Sequence, residues 1–215
     1  MPPRFIEAAI QHFDRSLRTV AGVPEAGPEH RPSPAGATAQ SGPGPNAGQA
    51  RQIGRLMRVN YAGEVAAQGL YWGQALTARD PEVEGKMNRA ATEEQDHLNW
   101  CAERMRHHGV RPSVLNPLWL AGSVTLGAVA GWAGDRWSLG FVAETERQVM
   151  RHLQGHLQRV ADTDPASRAV LEQMYLDERS HAEWAEESGG RRLPLPIRYG
   201  MSASSKFMTV GSYWV

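Results

Sequence analysis

Two copies of one short pattern carry the strongest chemical signal in this chain. Glu94-Gln95-Asp96-His97 and Glu178-Arg179-Ser180-His181 each place a carboxylate three residues before an imidazole. On a helix, positions i and i+3 lie on one face, about 60° apart around the axis. Side chains so placed can grip one metal ion together. A single Glu-x-x-His is weak, because Glu and His meet at this spacing by chance. Two call for a geometric test.

In a bundle of four helices, each of the other two helices can add one glutamate to the same metal layer. Short turns make neighbouring helices antiparallel, so the partner carboxylate must lie as far from the turn as the motif does. The first turn centres near Arg79; Glu94 lies 15 residues after it and Glu64 lies 15 before it. The second centres near Asp162; Glu178 lies 16 residues after it and Glu146 lies 16 before it. All four carboxylates therefore fall roughly 22–24 Å from their turns. Glu144 competes with Glu146, but two residues apart on a helix points them about 160° away from each other. Only one can face the core, and the spacing favours Glu146.

Charge supports the same set. Four buried carboxylates without a cation are strongly unfavourable, whereas two divalent ions balance them. Oxygen and imidazole donors together suit iron or manganese better than zinc. The expected ligands are Glu64, Glu94, His97, Glu146, Glu178 and His181. Glu93 and Asp177 read as surface residues or as supports behind the ligands. His152, six residues beyond Glu146, is either a relay to the metals or a core histidine. Cys101 reads as a small buried residue, and His107 and His108 as cations at a helix C-terminus.

Helical patterning that would position these groups runs from Arg51 to about Ala78, and from Glu82 to His108. It resumes over 135–160 and 166–188, with Asp80-Pro81 and Asp164-Pro165 at the breaks. No segment shows strand alternation. The fold class is all-α: a ferritin-like four-helix bundle with additional short apolar helices. A short amphipathic helix is expected over residues 1–20, and a Pro/Gly/Ala-rich linker over 21–50. The bundle domain then covers 51–215.

The formal net charge is zero, with 23 basic and 23 acidic residues, which excludes an overall basic nucleic-acid binder. One cysteine precludes an intramolecular disulfide and fits a reducing compartment. The N-terminus lacks the apolar run of a secretory signal. Residues 112–134 contain no charge, but Asn116, Pro117 and several Gly, Ser and Thr dilute the stretch. An element lying on a membrane surface, or covering an apolar substrate channel, fits better than a span. A buried connecting helix across the bundle end is the plain alternative. The apolar tail over 193–215 can join the same surface.

Arg58-Val59-Asn60-Tyr61-Ala62-Gly63-Glu64, Glu94-Gln95-Asp96-His97-Leu98, Arg111-Pro112-Ser113 and Asp177-Glu178-Arg179-Ser180-His181-Ala182 resemble the demethoxyubiquinone hydroxylase family. The likeness covers about residues 51–215, and also Phe13-Asp14-Arg15-Ser16-Leu17-Arg18. It implies a non-haem di-iron monooxygenase of ubiquinone biosynthesis, with the six ligands named above holding two Fe ions. It also implies a prenylated quinol substrate, dioxygen as co-substrate, and reducing equivalents from NADH. Peripheral attachment to the cytoplasmic side of the cell membrane is expected, as are contacts with other ubiquinone-biosynthesis proteins, but no nucleic acid. Two positions differ from the family pattern: Arg147 follows Glu146 where a second glutamate is common, and Leu153 follows His152 where tyrosine is common. Another ferritin-like oxidase or peroxidase is the competing enzyme reading. A non-catalytic quinone-lipid-binding protein is the non-enzyme one.

Overall fold

The computed structural model describes residues 18–23, 30–38, 44–160 and 163–215. Among these are a 3-10 turn, Pro34–Ala37, and six α-helices: α1 (Ala47–Thr77), α2 (Pro81–His107), α3 (Asn116–Trp132), α4 (Asp135–Val160), α5 (Pro165–Glu187) and α6 (Leu195–Trp214). There is no strand among the described residues. Helices α1, α2, α4 and α5 form the ferritin-like bundle. The expected helix over 1–20 falls almost wholly outside the described residues. Of it, Thr19 is buried and donates its hydroxyl to Gln68 Oε1 at 2.9 Å, and Tyr61 donates to the Thr19 carbonyl.

Local chemistry sets the helix starts. Asn46 accepts from Gln49 N and Gln49 Oε1 accepts from Asn46 N, both at 3.0 Å, a reciprocal cap that begins α1 four residues before Arg51. Asp80 caps α2 with Pro81 at the first helical position, and Asp164 caps α5 with Pro165 there.

Helix α3 decides the topology. It runs along α1 in the same direction, so that Gly69 faces Leu120 and Ser123, and Gly73 faces Val124 and Ala128. A Cβ on Gly73 would collide with the Val124 carbonyl, and one on Gly127 with the Leu70 carbonyl, so these two helices touch backbone to backbone. The chain thereby returns to the α1–α2 turn, where Asp135 accepts from the backbone N–H of Arg79 and Asp80, each at 3.0 Å. Thus α3 lies lengthwise beside the bundle rather than across its end. Leu118, Leu126, Val129 and Trp132 remain exposed on it. No helix among the described residues is long and apolar enough to cross a membrane.

The segment expected as a linker over 21–50 is in part a packed element. Ala35 is buried, and residues 30–38 lie against the bundle. The reason is polar rather than apolar: His30 and Arg31 bond Asp96, whose carboxylate is buried.

At the opposite end a buried ionic cluster fastens α2 to α5. Arg104 Nη2 donates to both Asp164 oxygens at 3.1 and 3.2 Å, and His108 Nε2 lies 2.7 Å from Asp164 Oδ2. Arg104 Nε donates to Ser167 Oγ at 2.9 Å, and Ser167 Oγ donates to Asp164 Oδ2 at 2.6 Å. His108 therefore pairs across helices, and a macrodipole reading alone does not describe it. Burial raises the Asp164 carboxyl, but the bonds from His108, Ser167 and Arg104 outweigh it and hold it below the ordinary carboxylate range. Asp164→Ala leaves Arg104 buried without its counter-ion and is expected to cost about 3–5 kcal/mol in urea unfolding. For a lowered carboxyl the sign is fixed. Wild-type protein keeps this stabilisation above the unfolded value of about 4 and loses it as pH falls below that. The Asp164→Ala deficit measured at pH 7 should shrink on acidification.

Candidate metal centre

The bundle core is split into two apolar layers. One contains Met57, Tyr61, Val65, Leu98, Met105, Leu153, Val170 and Met174. The other contains Tyr71, Ala75, Met87, Ala91, Leu139, Ala143 and Ala185. On each bundle helix the candidate ligand falls between residues of the two layers, so polar groups meet in the middle with dry packing above and below. Glu64 is 2 % exposed, Glu94 0 %, His97 0 %, Glu146 1 %, Glu178 1 % and His181 7 %. Six groups that ordinarily seek water are thus all withdrawn from it, which requires partners of opposite charge.

The six converge in two overlapping sets. Glu64, Glu94, His97 and Glu178 offer ligand atoms within 4.8 Å of one another, as do Glu94, Glu146, Glu178 and His181. Glu94 and Glu178 belong to both sets; Glu64 and Glu146 each close one end. Both histidines turn Nδ1 inward. His97 Nδ1 lies 3.0 Å from Glu94 Oε2, 3.2 Å from Glu178 Oε1 and 3.7 Å from Glu64 Oε2. His181 Nδ1 lies 3.3 Å from Glu178 Oε2 and 3.4 Å from Glu94 Oε1. Glu144 points elsewhere, to Arg198 Nε at 2.8 Å and to Gln148.

The outward nitrogens are held crosswise. His97 Nε2 lies 3.0 Å from Asp177 Oδ2, and His181 Nε2 lies 2.6 Å from Glu93 Oε2. Each carboxylate directly preceding one motif therefore braces the histidine of the other, the arrangement that fixes ring orientation in metal sites. Burial raises the Asp177 carboxyl, but bonds from His97 and Arg31 prevail and bring it down to about 2.

Electrostatics test the fit of a metal. Burial, and the nearby Glu94 and Glu178 carboxylates, push the Glu64 and Glu146 carboxyls well above their usual range. Burial lowers both histidines, yet the surrounding carboxylates win and raise them far above an ordinary imidazole. These directions favour protons on Glu64, Glu146 and both imidazoles, while burial raises the Glu94 carboxyl but the neighbouring imidazoles outweigh it and lower it. Glu146 Oε2 is buried with no hydrogen-bond partner, and Glu94 Oε1 and Glu178 Oε1 are buried beside an imidazole Nδ1, at 3.4 and 3.2 Å, without hydrogen-bond geometry. Orphaned carboxylate oxygens converging with inward imidazoles are the donor set that divalent cations of the iron and manganese type require.

Two participants were not foreseen from sequence. Tyr71 donates its hydroxyl to Glu146 Oε1 at 2.7 Å, and its ring meets His181 edge-on at 6.0 Å. Its position seven residues after Glu64, two turns along the same face, is a signal that was available. Arg31 gave none, because it lies in a segment without periodicity. His152 belongs to neither set. Its ring lies 4.0 Å from His156, its Nε2 is buried without a partner, and burial lowers it to about 4. His156 Nδ1 in turn meets Asn60 Oδ1 at 2.8 Å.

An apolar groove of about 320 Å³ runs between α1, α3, α4 and α6, lined by Gly63, Ala67, Leu70, Trp119, Gly122, Phe141, Thr145 and Met208 among others. Ala67, Leu70 and Thr145 also line a narrow gap that reaches Tyr71 and Glu146. The groove thus abuts the cage at its Glu146 end. On the opposite side, a polar recess of about 350 Å³ is lined by Arg31, Glu93, Asp96, Asp177 and His181.

Fold and site together define a ferritin-like bundle with a buried carboxylate–histidine cage able to hold metal. Comparison with known proteins narrows the class. Residues 51–212 match the family described as ubiquinone biosynthesis protein COQ7, and the chain belongs to that family. It is 50% identical to a 3-demethoxyubiquinol 3-hydroxylase of Cupriavidus taiwanensis, over 97% of this chain and 99% of the relative. It is 52% identical to one of Xanthomonas campestris pv. campestris, over 99% and 98%, and 50% identical to one of Nitrosococcus oceani, over 98% and 96%.

Proposed function

We propose that this chain is a di-iron monooxygenase that hydroxylates the ring of a demethoxyubiquinol intermediate with dioxygen; its relatives carry the name 3-demethoxyubiquinol 3-hydroxylase. The observation that carries the reading is the adjacency of the cage to an apolar groove of a size and lining suited to a prenylated ring. Glu64, Glu94, His97, Glu146, Glu178 and His181 would hold the iron ions, with Glu94 and Glu178 belonging to both sets of four. When bound, the ferrous pair supplies the electrons that activate dioxygen. The remaining tasks belong to the chain. Glu93 and Asp177 fix the two imidazoles, Tyr71 holds Glu146 through Oε1, and the apolar layers keep water from the centre. The groove presents the electron-rich ring at the Thr145–Glu146 edge and leaves the prenyl tail along α3 and α6. Reducing equivalents would originate with NADH.

Labelled dioxygen separates this reading from an oxidase or peroxidase. Incubation of the iron-loaded protein with demethoxyquinol and ¹⁸O₂ is expected to place one labelled atom in the quinol ring. Label confined to water would overturn the reading.

The exposed apolar side chains also support peripheral membrane attachment. Trp132 is 76% exposed and Phe207 71%, on α3 and α6, two of the four helices that border the groove. A quinol with a prenyl tail resides in the bilayer, so the groove must open where lipid is. Replacing Trp132 and Phe207 with serine is expected to weaken sedimentation with phospholipid vesicles about tenfold or more, with the iron content unchanged.

A further inference from the structure

The cage is close to symmetric in its ligands but not in what stands behind them. His181 leans on Glu93, whose side chain is 51% exposed and whose polar partner among the described residues is His181 itself. His97 leans on Asp177, which is 16% exposed and held from outside. Arg31 Nη2 donates to Asp177 Oδ2 at 2.9 Å, and Arg31 Nε donates to Asp96 Oδ2 at 2.9 Å. The arginine is itself fixed. Its guanidinium lies 4.9 Å over the Trp100 ring, and its carbonyl accepts from Trp100 Nε1 at 3.3 Å. Next to it His30 Nδ1 meets Asp96 Oδ1 at 2.8 Å. A planar fork engaging two carboxylates from two helices is the geometry that Arg provides and Lys does not.

We propose that Arg31 is a positioning residue of the metal centre. Delivered by the packed 30–38 segment, it locks Asp177 and thereby His97, so the two metal positions differ in how firmly they hold their ions. The metal at Glu64, Glu94, His97 and Glu178 is retained by a clamped histidine. The metal at Glu94, Glu146, Glu178 and His181 depends on a histidine whose brace stands in solvent. This inference rests on the di-metal reading above. It adds that a segment outside the bundle's helices controls metal retention at one of the two positions.

Full-length protein loaded anaerobically with ferrous iron and challenged with a chromogenic ferrous chelator reads this directly. Wild type is expected to release iron in two phases of about equal amplitude. In Arg31→Ala the slow phase should accelerate about tenfold, within the range that loss of a ligand's outer partner produces, while the fast phase stays the same. Asp177→Asn should accelerate the same phase. Arg31→Lys should fall between wild type and Arg31→Ala. Metal-free melting curves of the variants that match wild type separate this from general loosening of the fold. Equal acceleration of both phases, or release from Arg31→Ala identical to wild type, would overturn the proposal while leaving the di-metal reading intact. Wild-type protein that takes up no iron overturns both.

Discussion

The Glu178→Ala variant is expected to purify with almost no bound iron, whereas Glu64→Ala keeps about one ion where wild type holds about two. The difference follows from sharing. Glu178 contributes to both four-residue sets and Glu64 to one. Removing Glu178 takes a carboxylate oxygen from beside each inward Nδ1, at 3.2 Å from His97 and 3.3 Å from His181. Both positions then lose charge and a donor together. Removing Glu64 leaves the Glu94–Glu146–Glu178–His181 set complete. Both variants should lose ring hydroxylation by about 1000-fold or more, the ~4 kcal/mol or larger effect of losing metal activation. Metal analysis next to turnover is therefore the informative pair of measurements, because activity alone does not distinguish shared from terminal ligands. Near-normal iron in Glu178→Ala would contradict the cage as described.

Closing the groove without touching the cage should have the second-largest effect. Gly122 lines the groove on α3, and a Cβ there meets nothing within 4 Å. Gly122→Phe can therefore fold, with better helix propensity than glycine, while its ring occupies space that the substrate needs. The expected result is full iron content and a fall in kcat/KM of about 100-fold, equivalent to ~2.8 kcal/mol of lost substrate binding. Gly127→Ala is the contrasting variant. Its added methyl meets the Leu70 backbone, where α1 and α3 touch, and is expected to destabilise the fold by about 1–3 kcal/mol. If Gly122→Phe turned over like wild type, the ring would have to enter by another route.

The convergence of the six candidate ligands was legible in the sequence because a helix converts residue spacing into direction. Two Glu-x-x-His motifs fix four side chains on two faces, and equal distance from a turn supplies the other two glutamates. The resemblance to the demethoxyubiquinone hydroxylase family pointed to the same residues by a separate route. The choice of Glu146 over Glu144 needed the angle between them, which lets only one face the core, and the distance from the turn, which selects Glu146. The 3-10 turn and the packed segment around Arg31 were not legible, because they have no periodicity and few apolar side chains. A short polar segment is held by individual hydrogen bonds, and those depend on residues more than 60 positions away. The Arg104–Asp164 cluster was missed for the same reason.

Sequence by itself determined that this chain is helical, that six named side chains can meet at mid-bundle, and that their donor types suit divalent metal. It determined this because all of it follows from spacing along single helices and across short turns. Only the tertiary structure decided which imidazole nitrogen faces inward, which glutamates are shared, and that each histidine is braced by the opposite motif. It alone laid α3 lengthwise on α1 through Gly73 and Gly127, so that an apolar groove ends beside Glu146. Those facts depend on the rotation and packing of helices distant in sequence, which periodicity along one helix does not specify.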